Sequence, residues 1–193
     1  MDGTITLTIG TTSVLAAKLA ECPRAGRAAT ERAAVNSLAK SAFGPSTQLA
    51  HDPHGAPFIE GFEGHISVSH GAGYALLAID REHRIGIDCE AFRPQLQRVA
   101  SKFLSPGELP VHAASPRVLL RAWTIKEAIF KALGDPALTI SQISLPAYLP
   151  EETPTEIHLP QGTARIIVQT VPLPAAPLAA LATLVTLASV TAY

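Results

Sequence analysis

Arg84-Ile85-Gly86-Ile87-Asp88-Cys89-Glu90 alternates residue by residue. On an extended chain Ile85, Ile87 and Cys89 share one face, and Gly86, Asp88 and Glu90 share the other. The apolar face calls for a sheet and a core. The polar face sets two carboxylates side by side, where they repel. A divalent cation relieves that repulsion. An all-oxygen donor set suits magnesium, which keeps several waters and takes phosphate oxygens as further ligands. Gly86 leaves room for a ligand to approach the backbone. A solvated strand edge carrying two acids is the plainer alternative.

Working outward, His65–Ser69 and Tyr74–Ile79 are two more β-like runs, linked by Gly71-Ala72-Gly73, and Asp80–His83 leads into the third, Arg84–Glu90. Both links fit hairpins. Residues 51–64 hold Pro53, Gly55, Pro57, Gly61 and Gly64 and read as a loop. Ahead of it lie a strand at Thr4–Ile9 and an Ala-rich helix at Ala28–Phe43, stopped by Gly44-Pro45. Beyond Glu90, a short helix is expected near Gln95–Phe103. A long one is expected at Arg117–Leu133, ended by Gly134-Asp135-Pro136. Ile140–Leu145, Thr163–Val171 and Leu178–Val190 are β-like. The pattern predicts an α+β fold of two similar halves, 1–84 and 85–193, each a small antiparallel sheet packed on a long helix.

Composition narrows the function. Hydrophobic residues make up 47% of 193, enough for a packed core. Net charge is -1 with no basic run, so nucleic acid is not an expected partner. Cys22 and Cys89 stand far apart, which fits a reducing cytoplasm rather than a disulfide framework. The opening MDGTITLTIG lacks a signal peptide's basic start. The most apolar stretch, Leu178–Val190, is too short to span a bilayer, so no membrane role is expected.

Two further stretches carry chemistry. In Arg117–Leu133 apolar residues cover most of the helix circumference, so the helix should be largely buried. Thr124, Glu127 and Lys131 line one stripe, with Lys126 beside it. Buried charges need partners, and a metal beside Glu127 and a phosphate beside Lys131 would supply them. A Glu127–Lys131 ion pair on a solvent face is the alternative. In His65-Ile66-Ser67-Val68-Ser69-His70-Gly71 the serines share a face and His70 stands at the strand end, where hydroxyl and imidazole donors suit a phosphate. A structural histidine is the competing reading. A Ser-His hydrolase is discounted, because no nucleophile elbow GxSxG is present.

Ser67-Val68-Ser69-His70, Ile85-Gly86-Ile87-Asp88-Cys89-Glu90 and Trp123-Thr124-Ile125-Lys126-Glu127-Ala128-Ile129-Phe130-Lys131 together resemble the three signatures of the 4'-phosphopantetheinyl transferase superfamily. Their order fits, as do the 37 positions from Glu90 to Glu127. Phe103-Leu104-Ser105-Pro106-Gly107-Glu108 looks like the family's intermediate F-x-S-x-x-E element, and Gly55-Ala56-Pro57-Phe58 like its G-K-P loop. The 85 residues ahead of Gly86 resemble the pseudodimeric, surfactin-synthetase-activating type, two fused halves with one active site between them.

The resemblance implies a monomeric enzyme that moves 4'-phosphopantetheine from coenzyme A to a serine of an apo carrier protein, acyl or peptidyl, and releases 3',5'-ADP. It implies Mg2+ on Asp88, Glu90 and Glu127, with Glu127 as base, directly or through a metal-bound water, and Lys131 against the pyrophosphate. It makes Lys126 a further phosphate contact, puts Ser69 and His70 on the 3'-phosphate, and has Phe58 line the adenine pocket. The N-terminal half would carry the nucleotide side, the C-terminal half the metal and transfer residues. Two positions depart from the family: Ala56 replaces the loop lysine, and Asn36 stands near an expected helix arginine; Arg24, Arg27, Arg32 or Lys40 are the nearby cations. A catalytically silent coenzyme A or carrier-binding module and a magnesium-dependent phosphohydrolase are the competing functions.

Overall fold

Two four-stranded antiparallel sheets, each covered by one long helix, make up the computed structural model, which describes residues 4–174 and 180–192. The first sheet has the order β1-β2-β6-β5: β1 (Thr4–Ile9), β2 (Thr12–Lys18), β5 (His65–Gly71) and β6 (Tyr74–Asp80). Between β2 and β5 come α1 (Arg27–Phe43) and a small ribbon of β3 (Leu49–His51) and β4 (Pro57–Ile59). The second sheet has the order β7-β10-β9-β8: β7 (Ile85–Ala91), β8 (Thr155–Leu159), β9 (Gly162–Thr170) and β10 (Ala180–Ala192). Between β7 and β8 come α2 (Pro94–Arg98), α3 (Leu109–His112) and α4 (Pro116–Leu133). Without the outer strands β1 and β8, both sheets follow one plan: strand, helix, strand, strand, with the last strand in the middle.

Apolar alternation sorts the layers. Leu15, Ala75 and Leu77 turn one face of the first sheet onto Val35, Leu38 and Ala39 of α1. Val14, Leu76 and Ala78 turn the other face onto Ile85, Ile87, Cys89 and Leu184 of the second sheet. The outer face of that second sheet presents Ile166, Val168 and Val185 to Ile125, Ala128 and Ile129 of α4. The expected α+β class and the two helix-covered antiparallel sheets are present.

Turn chemistry fixes the hairpins. Ala72 (φ 52) and Gly73 (φ 83) lie between the paired Gly71 and Tyr74, a two-residue loop with both central residues left-handed. Beyond β6, the buried carboxylate of Asp80 accepts from the hydroxyls of Thr11 (2.7 Å) and Thr12 (2.8 Å) and from the amides of Glu82 and His83 (both 2.9 Å). Burial pushes its pKa up, but those bonds prevail and hold it at about 2. One aspartate thus ties the β1–β2 turn to the start of the connection into β7.

Several elements differ from expectation. Ile140–Leu145 is not a strand: Ile140–Gln142 is a 3-10 turn inside a Thr139 capping box, and Ser144 makes only a single bridge to His158. Gln95–Phe103 is broken into α2 and a 3-10 turn at Ala100–Lys102. β2 has no alternation because five of its residues, Thr12 to Ala16, are buried or nearly so, between α1 and the second sheet. Residues 51–64 contain β4 and the end of β3. Leu178 and Ala179, the start of the last expected strand, lie outside the described residues; the rest forms β10.

Gly86 does not face an open ligand space. A Cβ there would meet the Ala128 carbonyl oxygen at 1.8 Å. The missing side chain admits the backbone of α4, not a ligand. Gly86→Ala should therefore force strand and helix apart and cost at least about 1–3 kcal/mol. Urea unfolding checks this; an unchanged midpoint would contradict the close approach.

Candidate active site

α4 is cut to length by its caps. Ser115 accepts the Val118 amide at 3.3 Å, Pro116 occupies the first turn, and Gly134 ends the helix in the left-handed region (φ 61). With its backbone seated on Gly86, α4 sets Glu127 and Lys131 over the polar face of β7. Thr124, one turn earlier, hydrogen-bonds Thr183 at 2.9 Å, and Thr183 is the β10 neighbour of Asp88. The Thr124–Glu127–Lys131 stripe thus faces β7 and β10, and Lys131 makes its ion pair with Asp88 rather than with Glu127.

Asp88 is the centre of the cluster and is 6% exposed. Its Oδ1 accepts from Lys131 Nζ at 2.8 Å and from Ser69 Oγ at 3.1 Å. Lys131 Nζ also donates to the Ile87 carbonyl at 2.9 Å. Oδ2 is buried and has no hydrogen-bond partner. Burial, and after it the charge of Asp88, raises both Glu90 and Glu127 above the ordinary carboxylate range. Cys89, on the opposite face, is pushed up to about 12 by burial and by the two flanking acids, so its thiol stays protonated.

These features fit a cation. A carboxylate oxygen is stranded in the interior, and the charge of Asp88 adds to the cost of ionising Glu90 and Glu127. The donor set is all oxygen, which matches magnesium better than a soft metal. Among the described residues no three His, Cys, Asp or Glu side chains are already gathered around one point. Ligation therefore needs side-chain rotation by Glu90 and Glu127, both only half-buried.

Other expected residues fall in different places. Lys126 does not reach the cluster. It is 0% exposed, and Nζ donates to the Phe103 carbonyl (2.6 Å) and to Glu108 (2.8 Å to Oε1) on the far side of α4. Glu108 also accepts the amides of Ser105 and Leu145. Burial pushes Glu108 up, but Lys126 and these amides hold it below its usual value. The F-x-S-x-x-E element is thus a clamp for a buried lysine, a role its sequence did not announce; only the spacing of two buried opposite charges could have suggested it. Ser69 gives its one proton to Asp88 and accepts the Cys89 amide at 3.1 Å, which leaves it none for a phosphate. His70 is exposed at the end of β5 and faces Glu31 of α1 at 3.3 Å. Phe58 is exposed on β4.

Space for a ligand lies beside Lys131. A cavity of about 300 Å³ runs between the 54–57 loop, Ser67, Phe130 and Lys131. A second, of about 200 Å³, lies on the other side of that loop, lined by Phe58, Arg84 and Lys131 among others. The loop containing Ala56 and Pro57 and the residue Lys131 border both.

Comparison with known proteins bears on the family alone. Residues 84–164 match the family model of the 4'-phosphopantetheinyl transferase superfamily. The chain is 34% identical over 98 residues to the 4'-phosphopantetheinyl transferase HetI of Nostoc sp. (strain PCC 7120 / SAG 25.82 / UTEX 2576), covering 47% of this chain and 39% of that protein. It is 29% identical over 111 residues to the 4'-phosphopantetheinyl transferase psf-1 of Bacillus pumilus, covering 55% of this chain and 47% of that one. The chain thus spans less than half the length of the curated relatives it matches. Over residues 84–164, which hold the stretches at 85–90, 103–108 and 123–131, the superfamily model matches the resemblance carried by the motifs. Among the described residues no helix is long and apolar enough to cross a membrane.

Two outcomes are expected. Glu108→Ala leaves Lys126 charged and unpaired in the core, which should cost about 3–5 kcal/mol in thermal unfolding; a neutral effect would show the clamp to be idle. The second concerns pH. The raised carboxyls of Glu90 and Glu127 contribute stability that is fully present below their unfolded value, about 4.3, and is lost as pH rises through the raised folded value. Magnesium should therefore lift the unfolding temperature more at about pH 7.5 than at about pH 5. Asp88→Asn should shrink that lift. A lift equal at both pH values, or untouched by the substitution, would remove these acids as ligands.

Proposed function

We propose, taking residues 84–164 as a segment of the 4'-phosphopantetheinyl transferase superfamily, that the chain transfers 4'-phosphopantetheine from coenzyme A to a serine hydroxyl of an apo carrier protein and releases 3',5'-ADP. One observation carries the reading: Asp88, with its unsatisfied oxygen, is joined by Glu90, Glu127 and Lys131 beside a cavity of ligand size. The shared plan of the two sheets supports reading residues 1–84 and 85–193 as the fused halves of a pseudodimer, with the site at their seam.

Asp88, Glu90 and Glu127 would hold a divalent cation, magnesium by donor chemistry, whose charge offsets that of the pyrophosphate. The serine oxygen bonds to the β-phosphorus, and the bond from that phosphorus to the oxygen bridging it to the α-phosphorus breaks. The serine proton passes to Glu127, whose basicity is raised by burial and by the charge of Asp88. Lys131 already neutralises Asp88 and would offset the new charge on the departing nucleotide. Ser69 acts through Asp88 by fixing the orientation of its carboxylate. Phe58 offers an exposed ring on the cavity wall for the adenine. His70 would reach the 3'-phosphate once Glu31 turns away. Such a transfer depends on positioning and charge more than on covalent help from the protein.

The decisive experiment incubates the protein with a panel of apo carriers, coenzyme A and magnesium and measures intact mass. One carrier should gain a single phosphopantetheine. Coenzyme A binding with no carrier modified would make the chain a silent binding module; phosphate release without a carrier would make it a hydrolase. Asp88→Ala should abolish transfer while the protein stays folded. Lys131→Ala should lower kcat about a hundred-fold and change the KM for coenzyme A less. The reverse split would take Lys131 out of the transfer step.

A further inference from the structure

The parity that puts Gly86, Asp88 and Glu90 on one face of β7 puts Arg84 there too. Arg84 is exposed, four residues before Asp88 and so about 13 Å from it along the strand. Its guanidinium lies over the end of α4, with Nη2 3.8 Å from where a Gly134 Cβ would stand. It borders the 200 Å³ cavity together with Ala56, Pro57, Phe58 and Lys131. Lys131 is committed to Asp88 at the inner end of this space. Arg84, at the outer end, enters none of the ion pairs among the described residues.

Asp52 lines the same cavity, but its carboxylate is turned onto its own loop. It accepts the amides of Ala56 and His54, both at 2.8 Å, and the Ala56 bond foremost holds it below its ordinary value. Asp135, on the neighbouring cavity, is likewise engaged with the Ala137 amide and Gln161. Of the two cations lining this cavity, Arg84 and Lys131, Arg84 is thus the one without an acid, and Lys131 links the hollow to Asp88. The fork of donors on Arg84 suits a phosphate.

We propose that Arg84 is a phosphate-binding residue, which receives a phosphate at the nucleotide end of coenzyme A. This rests on the transferase reading above. The phosphate is either the pyrophosphate or the 3'-phosphate, the latter in place of His70, and both present the same oxygens to a guanidinium. A cap on the C-terminal dipole of α4 is the competing role for Arg84.

Titration calorimetry with coenzyme A, 3'-dephospho-coenzyme A and 4'-phosphopantetheine tests it, on the wild type, Arg84→Ala and Arg84→Lys, with unfolding temperatures alongside. Arg84→Ala should weaken coenzyme A by ~10–100-fold, leave 4'-phosphopantetheine unchanged and leave the unfolding temperature nearly unchanged. Arg84→Lys should recover part of the affinity. A loss confined to coenzyme A assigns the 3'-phosphate, and a loss shared with the dephospho form assigns the pyrophosphate. Unaltered coenzyme A affinity in Arg84→Ala, with a lowered unfolding temperature, would make the residue a helix cap and overturn the inference alone. A wild type that binds no coenzyme A would overturn the transferase reading with it.

Discussion

The meeting of β5 with β7 is the constraint from which the rest follows. Each is the edge strand of its own sheet, and an edge presents unpaired amides. Here the amides of Ile87 and Cys89 are taken by hydroxyls, Ser67 Oγ at 3.0 Å and Ser69 Oγ at 3.1 Å, in place of a neighbouring strand's carbonyls. The strands come so close that a Cβ on Gly71 would lie 1.8 Å from the Cys89 carbonyl oxygen. A buried amide left unsatisfied costs about 1–3 kcal/mol, so the two serines set the register of one sheet against the other. That register brings Ser69 to Asp88 and points Asp88 at α4.

The other side of β7 is fixed by equally close contact with α4 through Gly86. A helix held this tightly has little room for uncompensated charge, and each charged residue in its last two turns has a defined direction. Lys126 turns inward to Glu108. Lys131 reaches across to Asp88. Glu127, between them in sequence, lies among the other acids and has its pKa raised by burial and by their charges. Two of these charges are neutralised inside the protein. Glu90 meets Arg93 at 3.6 Å, and Glu127 enters none of the ion pairs among the described residues.

Much of this was legible in the sequence. Period-two alternation located β7 and assigned its faces, and helical spacing with a glycine stop located α4 to within a residue. The pairing of Lys131 with Asp88 joins two motifs that lie 43 positions apart, and helical spacing alone could not choose it over the Glu127–Lys131 pair. The failures have physical causes. β2 is covered on both faces, so its sequence lacks the alternation that betrays a half-buried strand. Gly86 and a ligand-facing glycine look identical in sequence, since both need only the absence of a side chain. Lys126 and Lys131 lie five positions apart on one helix, but only tertiary packing decides that one faces Glu108 and the other Asp88. Ser69 looked like a phosphate donor because a strand-end hydroxyl does not disclose that its proton is already used.

The two sheets share a plan but divide the chemistry unequally. Where β7 carries Asp88 and Glu90, β2, at the corresponding place in the first sheet, is apolar through Val14-Leu15-Ala16 and packs on both sides. All three acids and both cleft cations, Arg84 and Lys131, come from residues after 83. The first half supplies walls and alignment instead: the loop at 54–58, the serines on β5 and the exposed His70. A β5 shifted by one residue would turn Ser67 and Ser69 to its other face. The amides of Ile87 and Cys89 would be stranded, and Asp88 would lose the hydroxyl that aims it. The acids of β7 and α4 thus keep their geometry only while the serines of β5 hold β7 in register, which ties the stability of the seam to the geometry of the site.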